Sequence, residues 1–253
     1  MANKKIKNAE KDFYDNIHFK SHFEVVVYKT LKEAGFNPFY ERKTYTIWNG
    51  FRPKVLFFNR VVNKGITLFK LCNQKIRDIT YTPDFYIKYA NFHFIIEAKG
   101  YENDVFPLKK KIFRKYLENL SKNTGEFYVY FEVRNKREVL KTISIIKNII
   151  SLVKMLDEIK KRICFLSPSD RKLAESFINA RKFEELQDLV LSAVIRLERK
   201  KQISDSEEQQ LTDLQELNAY IVEYNNLIGN ENANYLDCLV DEIADIETDD
   251  DDF

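Results

Sequence analysis

Residues 81–100 read YTPDFYIKYANFHFIIEAKG, and this stretch is the strongest indication of the fold of the first part of the chain. Its apolar residues predict two strands, 84–89 and 92–98, joined by a tight two-residue turn. Folding the chain at that turn places Asp84 opposite Glu97. A turn of odd length would shift the register by one residue, so the pairing depends on the loop.

The predicted pairing has a chemical consequence. Residues two apart on a strand share a face, so Glu97 and Lys99 project together. Two carboxylates facing each other, Asp84 and Glu97, repel unless a divalent cation lies between them. Carboxylate oxygens suit Mg²⁺ or Mn²⁺, and Lys99 would position a water or stabilise charge on a phosphate. The alternative is that Pro83-Asp84 merely starts a strand, with an exposed ion pair at 97–99.

The spacing of apolar residues predicts the elements around this hairpin. In chain order, these are a helix over 17–34 with Gly35 as its C-cap, a strand over 36–47, short strands over 55–58 and 66–71, a helix over 106–120 and a strand over 127–133. Beyond Arg137 the spacing is helical throughout. The helices are expected at 139–163, after Ser167, at 184–201, after the capping box Ser204…Glu207, and at 232–246.

We therefore predict an α/β domain over 1–138, an all-α domain over 139–246 and an acidic tail over 247–253. Charge follows this division. Residues 1–150 contain 29 Lys and Arg against 15 Asp and Glu, whereas residues 151–253 contain 12 against 24. Such a split favours a polyanion-binding first part joined to a second part with a different role. The alternative is a chance distribution of solvated charge.

Several classes of protein are disfavoured by the sequence. The cysteines Cys72, Cys164 and Cys238 form no CxxC pair, which argues against a zinc knuckle or a disulfide framework. His18 and His22 have a spacing that zinc sites use, but no further ligand set accompanies them. The N-terminus lacks the apolar region of a signal peptide, and the most apolar stretch is too short to span a bilayer. The expected location is the cytoplasm, or the host cytoplasm if a phage encodes the protein.

The segments that carry a family resemblance are Ser21-His22-Phe23-Glu24, Gly35, Tyr40-Glu41, Thr82-Pro83-Asp84-Phe85, Glu97-Ala98-Lys99-Gly100 and Leu108–Phe113. In this order they resemble the PD-(D/E)XK nuclease superfamily. The likeness is greatest to small phage-encoded endonucleases and Holliday junction resolvases, and it covers about 17–134. It implies a restriction-endonuclease-like core with a mixed central sheet, followed here by an all-α region with no family likeness.

The resemblance also implies residue roles. The catalytic residues would be Glu24, Asp84, Glu97 and Lys99, in a Mg²⁺-dependent site where Mn²⁺ substitutes. The metal would be held by Asp84, Glu97, the backbone carbonyl of Ala98 and Glu24. Glu41 would not bind the metal itself but would help to hold these ligands in position. The alternative for Glu24 is a surface glutamate on an amphipathic helix. His93 shares a strand face with Glu97, and an exposed strand histidine is the expected reading.

DNA is the expected partner. The basic residues of the helix after the motif, predicted to bind the sugar-phosphate backbone, are Lys109, Lys110, Lys111, Arg114 and Lys115. Residues in the 48–80 insertion that would extend this surface are Lys54, Arg60, Lys64, Lys70, Lys75 and Arg77. A solvated charged face is the alternative for both sets.

The predicted activity is endonucleolytic hydrolysis of DNA phosphodiester bonds, with branched DNA or Holliday junctions as the preferred substrate, in phage replication, recombination or repair. The heptad-like stretch 139–163 predicts a homodimer or, alternatively, a core helix. The acidic tail ending in Phe253 would dock a replication protein, cover the basic face or remain solvated. The rival hypothesis is a catalytically silent DNA-binding adaptor that recruits partners through its acidic helical region.

Overall fold

The computed structural model describes residues 12–100 and 105–229, and the chain divides into two compact units after Ile143. The first unit combines strands with helices, whereas the described part of the second is helical. The strands are β1 (Asp12–Tyr14), β2 (Ile17–Phe19), β3 (Phe39–Tyr40), β4 (Tyr45–Trp48), β5 (Phe58–Asn63), β6 (Ile66–Leu71), β7 (Ile79–Tyr81), β8 (Phe85–Tyr89), β9 (Phe92–Ala98) and β10 (Phe127–Val133). The helices are α1 (His22–Glu33), α2 (Phe106–Thr124), α3 (Lys136–Arg162), α4 (Pro168–Asn179), α5 (Phe183–Glu198) and α6 (Asp205–Ile228).

The central sheet of the first unit is mixed. Its strand order is β10-β9-β8-β3, with β10 parallel to β9 and the other neighbours antiparallel. All residues of β9 are buried, because this strand lies between two others and is covered on both faces. The predicted α/β class with a mixed sheet is therefore confirmed.

The hairpin of β8 and β9 has the predicted register. Tyr89 pairs with Phe92 and Phe85 pairs with Ile96, so the turn contains two residues. The length of the two-residue turn fixes this register.

Helices α1 and α2 lie on opposite faces of this sheet. Phe85, which pairs with Ile96, contacts Phe19 beside α1 at a ring distance of 6.4 Å. The preceding residue of β9 points the other way and pairs with Tyr130, whose ring lies 5.9 Å from Phe113 of α2. The core on the α2 side also includes residues of β4 and β7.

Three predicted elements of the first unit were wrong in their bounds. The helix predicted from residue 17 begins at His22, because Ile17–Phe19 pairs with Asp12–Tyr14 in a hairpin. The strand predicted over 36–47 is two short strands, separated where Glu41 has a φ of +44°. The strand predicted over 55–58 is replaced by Phe58–Asn63, while 66–71 is a strand as expected.

The second unit has the predicted helix caps. The Ser167 hydroxyl accepts from the Asp170 backbone N–H, and Ser204 and Glu207 form a capping box. The division after Ile143 falls within α3, five residues beyond the predicted boundary at 138. The helix predicted at 232–246, Cys238 and the tail at 247–253 lie outside the described residues. Across 12–100 and 105–229, no helix has the length and apolar character that crossing a membrane requires.

A close backbone crossing at Gly50 leads to the first testable prediction. A Cβ at this position would overlap the Ile76 carbonyl oxygen and lie 2.8 Å from the Asp78 backbone nitrogen. We expect Gly50→Ala to lower the free energy of unfolding by about 1–3 kcal/mol, since neighbouring backbone has to move. Chemical denaturation measures this. Gly100→Ala is the matched control, because a Cβ there has no atom within 4 Å. Equal stability of the two variants would contradict the crossing.

Candidate active site

Asp84 and Glu97 form a buried carboxylate pair at one end of the central hairpin. Asp84 is 7% exposed and Glu97 is 3% exposed. Asp84 directly precedes β8, and its Oδ2 accepts a hydrogen bond of 2.8 Å from the Ala98 backbone N–H. This bond joins the start of β8 to the end of β9 and keeps the Asp84 side chain beside Glu97. The predicted pairing of the two acids is therefore present in the structure.

The electrostatics of the pair are unfavourable for two negative charges. Burial raises the pKa of Asp84 well above its ordinary value, and the negative charges of Glu97 and Glu24 raise it further. Burial also raises the pKa of Glu97, although Lys99 opposes this effect. Without a compensating cation, the protonated form of the pair is favoured.

Lys99 lies beside this pair, as predicted. Its Nζ is 2.6 Å from Glu97 Oε1 and 4.4 Å from the centre of the Phe106 ring. Its backbone N–H donates to the Val133 carbonyl at 2.8 Å, which anchors the residue just beyond β9. The side chain is 25% exposed, so the ammonium group can contact both a buried carboxylate and a ligand from solvent.

The second oxygen of Glu97 is the atom in this site that best fits a bound cation. Glu97 Oε2 is buried and makes no hydrogen bond of good geometry, although hydrogen bonding from the nearby Tyr81 hydroxyl and Asp84 backbone N–H lowers the pKa of this carboxyl. Buried acceptors without a partner are costly and usually have a ligand, ion or water. A hard divalent cation fits this donor set, because it is bound by carboxylate oxygens.

Glu24 is buried near the pair but makes its own hydrogen bonds. It is 6% exposed, so the surface-glutamate alternative is wrong. Its Oε2 accepts from the Tyr40 hydroxyl at 2.6 Å and from the Lys20 backbone N–H at 2.9 Å. Its Oε1 accepts from the Ser21 hydroxyl at 2.9 Å. In this structure Glu24 therefore acts in the cap of α1, while its charge still reaches Asp84.

The side chains of the described residues do not by themselves complete a metal-ligand cluster. In the part of the chain that the structure describes, no three His, Cys, Asp or Glu residues are grouped closely enough to hold a metal ion. Ligation by Glu24 and by the Ala98 carbonyl thus stays a prediction. His22 contacts Asp12, with Nδ1 and Oδ2 2.8 Å apart.

Glu41 connects to the pair through the backbone. Its N–H donates to the Asp84 carbonyl at 2.8 Å, and its side chain forms an ion pair with Lys20. The Lys20 N–H in turn donates to Glu24. Glu41 is therefore connected to Asp84 directly and to Glu24 through Lys20, which agrees with its predicted supporting role. Sequence analysis missed Lys20, which it placed within a longer helix. No local signal distinguished this lysine from an ordinary surface residue.

Glu132 is a further acid that sequence analysis missed. It pairs with Glu97 in the parallel ladder between β10 and β9. Its carboxylate is bound by Lys110 Nζ at 2.6 Å and by Arg134 Nη2 at 2.7 Å. These cations lower its pKa and keep it charged. The alternation of strand 127–133 already placed Glu132 on one face, but the parallel pairing was needed to bring it beside Glu97.

The basic residues predicted on α2 are engaged to different degrees. Lys110 is tied to Glu132, Lys109 donates to the Thr80 carbonyl at 3.1 Å, and Lys115 donates to Glu118 at 3.0 Å. Lys111 and Arg114 are exposed. The structure therefore ties Lys110 to Glu132, next to Glu97 in the sheet, and the role of all five residues in DNA binding stays a prediction.

His93 is buried, so the expectation of an exposed strand histidine was wrong. Its Nδ1 lies 2.5 Å from the Tyr86 hydroxyl and its Nε2 lies 2.9 Å from Glu126 Oε2. The Tyr128 ring stacks on it at 4.5 Å. These partners explain its burial without a role at the carboxylate pair.

The unfavourable charge of the pair predicts a stabilising substitution. Asp84→Asn retains an oxygen that accepts from Ala98 but removes one negative charge. Because the folded-state pKa of Asp84 is raised, wild type loses stability as pH rises through that pKa, whereas the variant does not. In EDTA at pH 8 we expect the free energy of unfolding of Asp84→Asn to exceed that of wild type by about 1 kcal/mol or more.

The measurement is denaturant unfolding between pH 4 and pH 8, with the difference shrinking towards acid pH. Asp188→Asn is the control, because Asp188 is exposed and lies in the second unit. A variant that is less stable than wild type throughout this range would show that the acids do not repel each other.

Comparisons with protein-family models, with curated proteins and with solved structures gave no match to this chain. No residue role can therefore be carried over from a matched relative. The assignment of Asp84, Glu97 and Lys99 to a candidate active site rests on their burial, contacts and charge.

Proposed function

We propose that the first unit is a Mg²⁺-dependent endodeoxyribonuclease with a PD-(D/E)XK core, in which Mn²⁺ substitutes for Mg²⁺. The observation that carries the proposal is the buried Asp84–Glu97 pair, with a Glu97 oxygen that lacks a hydrogen bond of good geometry and the Lys99 ammonium beside it. A protein without a cation or substrate here would be more stable without the second carboxylate.

The arrangement of elements supports this family of folds. A hairpin at the centre of a mixed sheet carries the acids, α1 and α2 cover opposite faces, and β10 adds in parallel after α2. The resemblance in sequence implies the same order of elements, so the two agree over the region of likeness. Fold alone does not establish an activity, and the chemistry of the site has to supply it.

The residues present can perform distinct parts of phosphodiester hydrolysis. Asp84 and Glu97 would hold the metal, which when bound lowers the pKa of a water and neutralises phosphate charge. Lys99, partly exposed next to Glu97, would bind the scissile phosphate or orient the attacking water. Glu24 would raise the negative potential that attracts the cation, with Tyr40 and Lys20 keeping its carboxylate in place.

We further propose that the substrate is branched DNA, in phage replication, recombination or repair. This assignment comes from the resemblance in sequence. A homodimer through 139–163 has less support than the alternative. The apolar residues Val139, Ile146, Leu152 and Ile159 are already buried within the single chain, which favours a core helix.

A specific observation favours a second candidate, a DNA-binding adaptor without catalysis. The Glu24 carboxylate is already hydrogen-bonded, and the described residues contain no three-acid group that would hold a metal by side chains alone. Such an adaptor would bind DNA through the basic first unit. It would recruit partners through the acidic helical region or through the tail ending in Phe253.

The test is cleavage of labelled linear duplex, single-stranded and four-way-junction DNA in Mg²⁺, in Mn²⁺ and in EDTA. We expect wild type to cut in either metal and not in EDTA. Asp84→Asn, Glu97→Gln and Lys99→Gln should each lose about a hundredfold or more in rate, because each removes a group from the reaction. Binding of the same DNAs in EDTA should change far less.

The matched controls are Asp188→Asn and Lys172→Gln, which make the same chemical changes at exposed positions of the second unit. Both should cut at the wild-type rate. If wild type binds these DNAs but cuts none of them in either metal, the adaptor is correct and the nuclease proposal fails.

A further inference from the structure

The strands β5 and β6 form a two-stranded hairpin, residues 58–71, named here the basic ribbon. Every strand residue except Val61 is exposed, including Phe58 at 51%, Ile66 at 63% and Phe69 at 69%. A hairpin of two strands is at most marginally stable in water. Large apolar side chains on both of its strands therefore indicate a binding partner.

The turn and the base of the basic ribbon are well defined. Lys64 and Gly65 form a two-residue turn in which both φ values are positive, +45° and +80°, and this geometry suits the twist of paired strands. Residues 49–57 and 72–78 join the ribbon to the β4–β7 ladder, which pairs Trp48 with Ile79 at its near end and Tyr45 with Tyr81 at its far end. Tyr81 lies near Glu97, so the ribbon extends from a ladder that borders the candidate active site.

Charge selects the class of partner. Between Arg42 and Arg77 the sequence contains nine Lys and Arg and no Asp or Glu. A second copy of the ribbon would bring two such surfaces together, and their like charges would repel. A polyanion complements the charge, and nucleic acid is the polyanion that also offers apolar base faces.

The side-chain pattern favours unpaired nucleotides. Paired residues of an antiparallel ladder share a face, so Phe58, Arg60, Phe69 and Leu71 lie on one face of the ribbon. Here two exposed aromatic rings stand beside a guanidinium group. Aromatic rings stack on unpaired bases with little regard to sequence, while Arg and Lys follow the phosphates. In a paired duplex the base faces are already stacked on each other.

We propose that the basic ribbon is a nucleic-acid-binding arm that takes unpaired nucleotides of DNA. Phe58 and Phe69 stack on the bases, and Arg60 on the same face and Lys64 at the turn bind the phosphates. Lys70, on the opposite face, adds to the positive charge of the ribbon. The choice of DNA rests on the proposed function, and it gives that function a physical basis for preferring branched substrates, where pairing is interrupted. Contact with the ribbon requires neither the metal nor cleavage.

The experiment is fluorescence anisotropy with the full chain in EDTA, using a labelled single-stranded oligonucleotide, a duplex of the same sequence and a duplex with a single-stranded flap. The Phe58→Ala/Phe69→Ala variant should bind the single strand and the flap at least tenfold more weakly and the duplex nearly as wild type does. The Arg60→Gln/Lys64→Gln/Lys70→Gln variant should weaken binding to all three and reduce the salt dependence by about two contacts or more.

The control for charge is Lys147→Gln/Lys172→Gln/Lys201→Gln, three exposed lysines of the second unit, which should bind as wild type does. A Phe58→Trp/Phe69→Trp variant should restore stacking and thus single-strand binding. Because the substituted side chains are exposed, we expect each variant to keep the wild-type fold. Circular dichroism checks this.

Each contrary result overturns the inference. If both ribbon variants bind all three DNAs like wild type, the ribbon is not a DNA-binding arm. If the Phe58→Ala/Phe69→Ala variant loses as much affinity for the duplex as for the single strand, the preference for unpaired bases is rejected. If sedimentation shows a wild-type dimer that the aromatic variant dissociates, the ribbon binds a second copy. Cleavage assays separate the two proposals: loss of binding in the ribbon variants without cutting by wild type supports the arm and rejects the nuclease.

Discussion

The register of the β8–β9 hairpin is the constraint on which the rest of the site depends. It brings Asp84 beside Glu97, and the Ala98 N–H holds Asp84 there with a bond of 2.8 Å. Both acids are buried, which raises the pKa of each, and the charge of Glu97 raises the pKa of Asp84 further. A shift of one residue would exchange the two faces of β9 and separate Glu97 from Asp84. The geometry of the candidate site thus follows from a local pairing.

The surrounding residues compensate only part of this negative charge. Lys99 contacts one Glu97 oxygen, while the other lacks a hydrogen bond of good geometry. Other acids nearby have their own cations: Glu132 is held by Lys110 and Arg134, and Glu41 by Lys20. Charge is therefore balanced around the Asp84–Glu97 pair and left unbalanced within it. Such local imbalance at a buried position is typical of sites that bind an ion or substrate.

The sequence predicted the hairpin, its register and the position of Lys99, because strand alternation and a two-residue turn are local properties. It also predicted the caps at Ser167 and Ser204, where the signal lies within four residues. The hydrogen bonds of Glu24 were not predictable, since Tyr40 and Lys20 come from separate segments. The position of Glu132 beside Glu97 could not be predicted without knowing that β10 pairs in parallel with β9. The bounds of the ribbon strand 58–63 could not be predicted because its residues are exposed, and the spacing of apolar residues indicates a strand only where one face is buried.

The most direct test of the account is where a divalent cation binds. Titration of ¹⁵N-labelled protein with Mn²⁺ would broaden the amide signals of residues close to the ion. The account predicts that the Ala98 and Lys99 amides broaden first in wild type and remain sharp in Glu97→Gln, because the ion needs both carboxylates. Broadening confined to the acidic residues 249–252, with Ala98 and Lys99 unaffected in wild type, would contradict the central claim that the buried pair is a metal site.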